Sequence, residues 1–145
     1  MAKENFSSED RAAIKGAIEQ AELNTSGEIR VHLENHCKED DVMDRASQVF
    51  AMLKMHKTEL RNGVLVYMAV QDHKFAIIGD GGINEKVEDD FWDITKEKML
   101  SQFKSGDLVE GIKEGVLCAG ERLAEFFPYQ KNDSNELSDD ISFGK

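Results

Sequence analysis

The sequence predicts an α/β fold built on a small mixed sheet, from three observations. Apolar residues recur at helical spacing in four stretches, while three shorter stretches alternate or run apolar as strands do. A helical stretch separates the first two strands, which makes them a parallel pair through a right-handed crossover. Only Gln71-Asp72-His73-Lys74 separates the second strand from the third, which makes that pair an antiparallel hairpin.

The elements follow in order. Ser7-Ser8-Glu9-Asp10 opens the first helix, because a serine with an acid three residues on satisfies free amides of the first turn. Ile14, Ala17, Ile18 and Ala21 form its buried stripe, and Asn24-Thr25-Ser26-Gly27 ends it. From Glu28 to Leu33 polar and apolar residues alternate, which predicts an edge or half-covered strand. Asp40 and Asp41 start a second helix, with Val42, Ala46, Val49, Phe50 and Leu53 facing the sheet. Val64 to Val70 lacks polar members and reads as a central strand covered on both faces. Phe75 to Ile78 is the third strand. Val87, Phe91, Ile94, Lys98, Leu100 and Phe103 mark a third helix, broken at Lys104-Ser105-Gly106-Asp107. A fourth runs from Leu108 to Phe127 and stops before Pro128. Its Gly111, Gly115 and Ala119 make a small-residue face for close packing.

Residues 1–130 are expected to form one domain, a size at which a single core suffices. Residues 131–145 are polar and poor in apolar side chains, so a disordered tail is expected, dispensable for stability. The net charge of -11 works against nucleic acid and anionic membranes and favours cations. Cys37 and Cys118 lack metal-ligand spacing and read as free thiols. With no signal-like N-terminus and no apolar run of membrane length, a cytoplasmic monomer is expected.

This topology brings the start of the first strand, the start of the second and the end of the third to one sheet edge. Glu28, Arg61, Asn62 and Asp80 gather there, beside Thr25 and Ser26 and ahead of Gly81, Gly82 and Asn84. Glu34, His36, Asp40, Asp72 and His73 collect at the opposite edge, where parallel strands generally place ligands. The first edge is preferred because its glycines expose backbone.

Thr25-Ser26-Gly27-Glu28-Ile29, Asn62-Gly63-Val64-Leu65, Ile78-Gly79-Asp80-Gly81-Gly82-Ile83 and Phe103-Lys104-Ser105-Gly106-Asp107 followed by Gly111-Ile112 make the chain resemble the TPM domain family. The likeness spans about Phe6 to Pro128. It implies a three-layer α/β/α sandwich and binding of a divalent cation, calcium ahead of magnesium. It also implies a metal-assisted acid phosphatase activity on phosphomonoesters as the alternative function. A protein-interaction domain with an unnamed protein partner is the third reading.

Glu28 and Asp80 are the expected ligands, with Asn62 adding an amide oxygen, since calcium takes several oxygen donors. The competing account pairs Glu28 with Arg61 or Arg30 and makes Asp80 a helix cap. Arg61 near a helix start also suits a phosphate or carboxylate. The run from Asp80 is not an EF-hand loop, because Glu85 stands where glycine is required and Phe91 where glutamate is. No Gly-Lys-Ser/Thr follows the glycines, which excludes a phosphate-binding loop. His32 and His36 sit four apart on a strand and its loop, a spacing that does not align them on zinc. No nucleophile–base pair can be assembled, so hydrolysis would need a metal-bound water with Glu28 or Asp80 as ligand or base.

Overall fold

The computed structural model describes residues 5–129, 137 and 139–144. In chain order the elements are α1 (Ser8–Glu22), β1 (Glu28–Glu34), α2 (Val42–Met52), β2 (Gly63–Ala69), β3 (Lys74–Gly79), α3 (Gly81–Asn84), α4 (Asp93–Lys104), α5 (Leu108–Ala124) and β4 (Ser142–Phe143). The strands form one mixed sheet in the order β3-β2-β1-β4. β1 is parallel to β2 and β4, and β3 is antiparallel to β2.

Strand alternation sorts the side chains into two cores. Ile29, Val31 and Leu33 of β1 and Val64, Val66 and Met68 of β2 join α1, α4 and α5 on one face. Leu65, Tyr67 and Ala69 join Ala46 and Val49 of α2 on the other. The result is a three-layer α/β/α sandwich. Ser7 caps α1 through a reciprocal bond with Asp10, and Asp41 caps α2. A Cβ on Gly111 or Gly115 would sit 2.4 Å from Phe103 or 2.5 Å from Met99, so both glycines permit the close packing of α4 on α5. Cys37 and Cys118 are free. Among the described residues no helix is long and apolar enough to cross a membrane.

Two regions differ from the sequence expectation. The third helix starts at Asp93, because residues 85–92 turn instead: Phe91 N–H donates to Glu88 and Asp93 N–H to Asp90 three residues back. Val87 and Phe91 have helical spacing and still point inward from turns. The other difference concerns the tail and β1. Ser142 and Phe143 pair beside His32 and Leu33, so β1 is interior, with both faces largely buried. Phe143 also meets Phe6, with ring centroids 6.5 Å apart, and Asp140 bonds Lys15 at 2.8 Å. The described part of the segment expected to be a disordered tail is therefore strand and anchored loop. Residues 131–136, 138 and 145 lie outside the described residues.

Candidate functional site

The glycine-rich edge is assembled by backbone registry. Glu28 stands opposite Gly63, and the Asp80 N–H donates to the Gly63 carbonyl at 2.9 Å, so Glu28, Gly63 and Asp80 form one row across three strands. Asn62 accepts the Glu28 N–H at 3.2 Å and donates its amide to the Ser26 carbonyl at 3.2 Å. The Ser26 N–H donates to Phe127, and the Thr25 hydroxyl donates to the same carbonyl. These bonds bury Thr25, Ser26, Glu28 and Asn62 and bind the start of β1 to the end of α5. The Ser26 hydroxyl is buried without a hydrogen-bond partner.

Asp80 lies differently. Arg61 donates Nε to its Oδ2 at 2.7 Å and Nη2 to its Oδ1 at 2.8 Å, and Oδ1 also takes the Gly81 N–H. Burial pushes the Asp80 carboxyl up, but Arg61 and the Gly81 amide outweigh it and hold it below the usual range. Arg61 reaches it from a left-handed backbone, φ 51°, with a side chain still 55% exposed. Gly82 is required here, since a Cβ would fall 2.2 Å from the Leu60 carbonyl. Asp80 is also the cap of α3, so that part of the competing account holds, with Arg61 on Asp80 and not on Glu28.

Of the expected ligands, Glu28 and Asp80 stand in one row on either side of Gly63, and the Asn62 side-chain amide is committed to the Ser26 carbonyl. β2 stands between β1 and β3, which separates the Glu28 and Asp80 backbones by on the order of 10 Å. Glu28 accepts the Leu137 N–H at 2.6 Å. Among the described residues no three His, Cys, Asp or Glu side chains are close enough to share a metal as they stand.

What Asp80 does border is a cleft of about 630 Å³ between α2 and α4. Its lining includes Asp80, Asn84, Glu88 and Asp89 together with Phe50, Trp92 and Lys96. Its volume is that of a ligand cleft. Glu88 and Asp89 were hidden in the sequence by the apparent helical spacing around them. Ser47 supplies a hydroxyl to the cleft, but no histidine lines it.

The opposite end of the sheet is closed by a buried network. Glu34 takes Nε and Nη2 of Arg45 at 2.9 and 3.0 Å, Nε2 of His32 at 3.1 Å, and the Tyr67 hydroxyl. Since a carboxylate only accepts, His32 carries its proton on Nε2, and Nδ1 accepts from the Ser142 hydroxyl at 2.8 Å. Burial pushes Glu34 up, but the bonds from Arg45, Tyr67 and His32 prevail and bring it down to about 2. Burial lowers His32 despite Glu34, and burial followed by the Glu34 bond raises Tyr67. Four donors fill the capacity of Glu34, leaving none for a ligand. Nearby, His36 and Cys37 both donate to Asp72, at 2.9 and 2.6 Å.

The family described as TPM domain matches residues 2–122. No curated protein matches significantly. Among solved structures, the BA42 protein from the psychrophilic bacterium Bizionia argentinensis is 51% identical, with a TM-score of 0.91 and 99% of each chain covered. The N-terminal domain of cg2496 protein from Corynebacterium glutamicum shares the fold at 14% identity and TM-score 0.67, covering 88% of this chain and 80% of that one. The N-terminal domain of a P. gingivalis protein does so at 18% and 0.69, covering 88% and 83%.

Proposed function

This chain belongs to the TPM domain family, and from that premise we propose that it is a binding module for a divalent cation, calcium ahead of magnesium, taken at the cleft beside Asp80. The observation that carries the reading is the shared cleft of Asp80, Glu88, Asp89 and Asn84. Three carboxylates and an amide there provide the hard oxygen donors calcium prefers, next to the glycine-rich backbone. Glu28 and Asn62 belong to the scaffold that sets the position of Asp80 and are not ligands in this proposal.

Arg61 is the resident counter-ion. Its exposed side chain is free to leave Asp80, and Glu88 and Asp89 are exposed on the turn segment before α4. Binding therefore exchanges one positive partner of Asp80 for another and gathers two uncommitted acids. A module built this way is expected to be open when empty and tightened when loaded.

Thermal unfolding across a calcium titration tests this. Calcium should raise the melting temperature of the wild type, with the logarithm of its concentration once this exceeds the dissociation constant. Asp80→Asn and the double variant Glu88→Gln with Asp89→Asn should lose most of the response. Asp72→Asn, at the other end of the sheet, should keep it. A melting temperature indifferent to calcium in the wild type would end the cation reading.

A further inference from the structure

β4 carries a serine to a histidine 110 positions away in the chain. The Ser142 hydroxyl lies 2.8 Å from Nδ1 of His32, and Nε2 of His32 lies 3.1 Å from Oε1 of Glu34. Because the Glu34 carboxylate only accepts, the ring proton sits on Nε2 and Nδ1 offers its lone pair to the hydroxyl. A nucleophile, a base and a carboxylate that orients the base thus follow one another, the arrangement that activates a serine toward an acyl group. Either ring nitrogen serves as the base, since a partner on the other fixes the tautomer.

The surroundings hold this order in place. Arg45 and the Tyr67 hydroxyl fix Glu34, and the Tyr67 ring lies parallel to the imidazole with centroids 6.0 Å apart. Gly144 packs against the pair, since a Cβ there would fall 2.6 Å from Glu34 Oε1 and 3.0 Å from His32 Nε2. The base is therefore shielded, with His32 3% exposed, while Ser142 on the outermost strand is only partly buried. The Gly144 N–H donates to the Leu33 carbonyl, and in a parallel pair this turns the Phe143 N–H away from β1, to the outer side of β4. An amide directly after the nucleophile is a donor for the oxygen of a tetrahedral intermediate. Arg30, two residues before His32 on the same face of β1, adds a positive charge that acts on both His32 and Asp140.

We propose that Ser142, His32 and Glu34 form a catalytic site separate from the Asp80 cleft, in which Ser142 takes the acyl group of a small carboxylic ester and passes it to water. Ser142 Oγ attacks the carbonyl carbon as its proton moves to His32 Nδ1, and the carbonyl oxygen becomes the oxyanion that the Phe143 N–H receives. The ester C–O bond then breaks, and the leaving alkoxide takes the proton from Nδ1. Water, giving a proton to the same nitrogen, attacks the acyl-serine; the acyl–Oγ bond breaks and Oγ recovers the proton. Glu34 is a positioning residue, which holds the tautomer and balances the imidazolium. The acyl group is small because the hydroxyl is partly buried. This goes beyond cation binding, because it uses the other end of the sheet and none of the residues of the cleft.

The probes are p-nitrophenyl acetate and a small fluorophosphonate, added to the whole chain with EDTA present throughout. EDTA keeps the outcome separate from that of the cation reading. A burst of nitrophenol should accompany an acetyl adduct on the peptide carrying Ser142, and the fluorophosphonate should label the same residue with loss of fluoride. Ser142→Ala should abolish both adducts and keep the rest of the amide spectrum. His32→Gln should slow labelling by about 100-fold or more. Burial lowers the His32 pKa below 6.5, among Arg30 and Glu34 of its own strand, Arg45 of α2, Tyr67 of β2 and Ser142 of β4. The base exists only when His32 is neutral, so the acylation rate should rise with pH through one step below 6.5 and then level off. Adducts elsewhere with Ser142 unmodified, equal labelling of a folded His32→Gln, or a rate that climbs with hydroxide without levelling would each overturn the proposal. If His32→Gln does not fold, the adduct position and the pH profile of the wild type decide.

Discussion

At one end of the sheet Arg61 holds Asp80 through Nε and Nη2 at 2.7 and 2.8 Å, and at the other Arg45 holds Glu34 through the same two nitrogens at 2.9 and 3.0 Å. Their chemistry is shared and their surroundings are opposite. The Arg61 side chain is 55% exposed, whereas the Arg45 side chain is 7% exposed. Glu34 has four donors and is fully enclosed; Asp80 has three bonds and borders a cleft. A buried fork is locked, because neither partner can leave without stranding a charge in a medium that does not solvate it. The Arg61 fork is exposed, and so exchangeable, on its arginine side alone, since Asp80 is 6% exposed: water compensates the arginine when it moves, and the Gly81 amide stays on the carboxylate. At the carboxyl end of β1 the Glu34 carboxylate is already taken by Arg45, Tyr67 and His32, and His32 in turn by Ser142.

The largest effect expected from this contrast is at the locked fork. Arg45→Ala leaves Glu34 buried with an unbalanced charge, and should cost about 3–5 kcal/mol. Chemical denaturation gives the value directly. A loss no greater than that of an ordinary surface substitution would show that the network is hydrated and would remove the distinction between the two ends.

Next in size is the pH profile, in which two carboxylates act with opposite sign. The Glu34 pKa is about 2 when folded against an ordinary 4.5, so its contribution is present above 4.5 and is lost as pH falls toward 2. That difference corresponds to on the order of 3 kcal/mol. Glu22, at the glycine-rich end, accepts the Ile29 N–H at 3.0 Å. Burial, with a bond to Asp139, raises it to about 9. Its folded pKa exceeds the unfolded one, so its contribution is complete below 4.5 and is lost as pH rises toward 9. Glu22→Gln should therefore raise stability at pH 8 by about 1 kcal/mol, allowing for solvent screening at a partly buried side chain, and change nothing at pH 4. An equal gain at both values would place the effect outside its ionisation.

Most of the frame was legible because local chemistry and tertiary position agree in it. The unbroken apolar run of β2 is what a central strand needs, and Ser7 with Asp10 caps α1 as their spacing indicates. The glycine-rich edge was legible in its membership and less so in what lines the cleft beside it. Asp80, Asn84 and Gly81 border the cleft, whereas Glu28 and Asn62 do not line it, and the bonds from Glu28 to Leu137 and from Asn62 to Ser26 link segments that chain order does not bring together. Arg45 was missed because a charged residue inside an amphipathic helix ordinarily faces water. The signal was present in β1, whose Glu28, Arg30, His32 and Glu34 fill one face with polar groups that α2 and the C-terminal segment then cover. A two-residue strand such as β4 has no periodicity to detect, and its pairing is fixed by the β1 edge it meets.

The smallest effect on stability is expected at the exchangeable fork, and its smallness is what sharpens the comparison. Arg61→Gln keeps the backbone and most of the side chain while removing the positive charge on Asp80. Because Arg61 is exposed and Asp80, though buried, keeps the Gly81 amide, the melting temperature of the metal-free protein should fall far less than in Arg45→Ala. Asp80 then meets calcium without a resident cation to displace, so the calcium response should begin at lower concentration than in the wild type. The two readouts separate the roles of the arginine. If Arg61→Gln melts well below the wild type without calcium, Arg61 is a structural strut like Arg45. If its melting temperature falls only slightly and its calcium midpoint is unchanged, Arg61 is no placeholder and Asp80 is not where the ion is held.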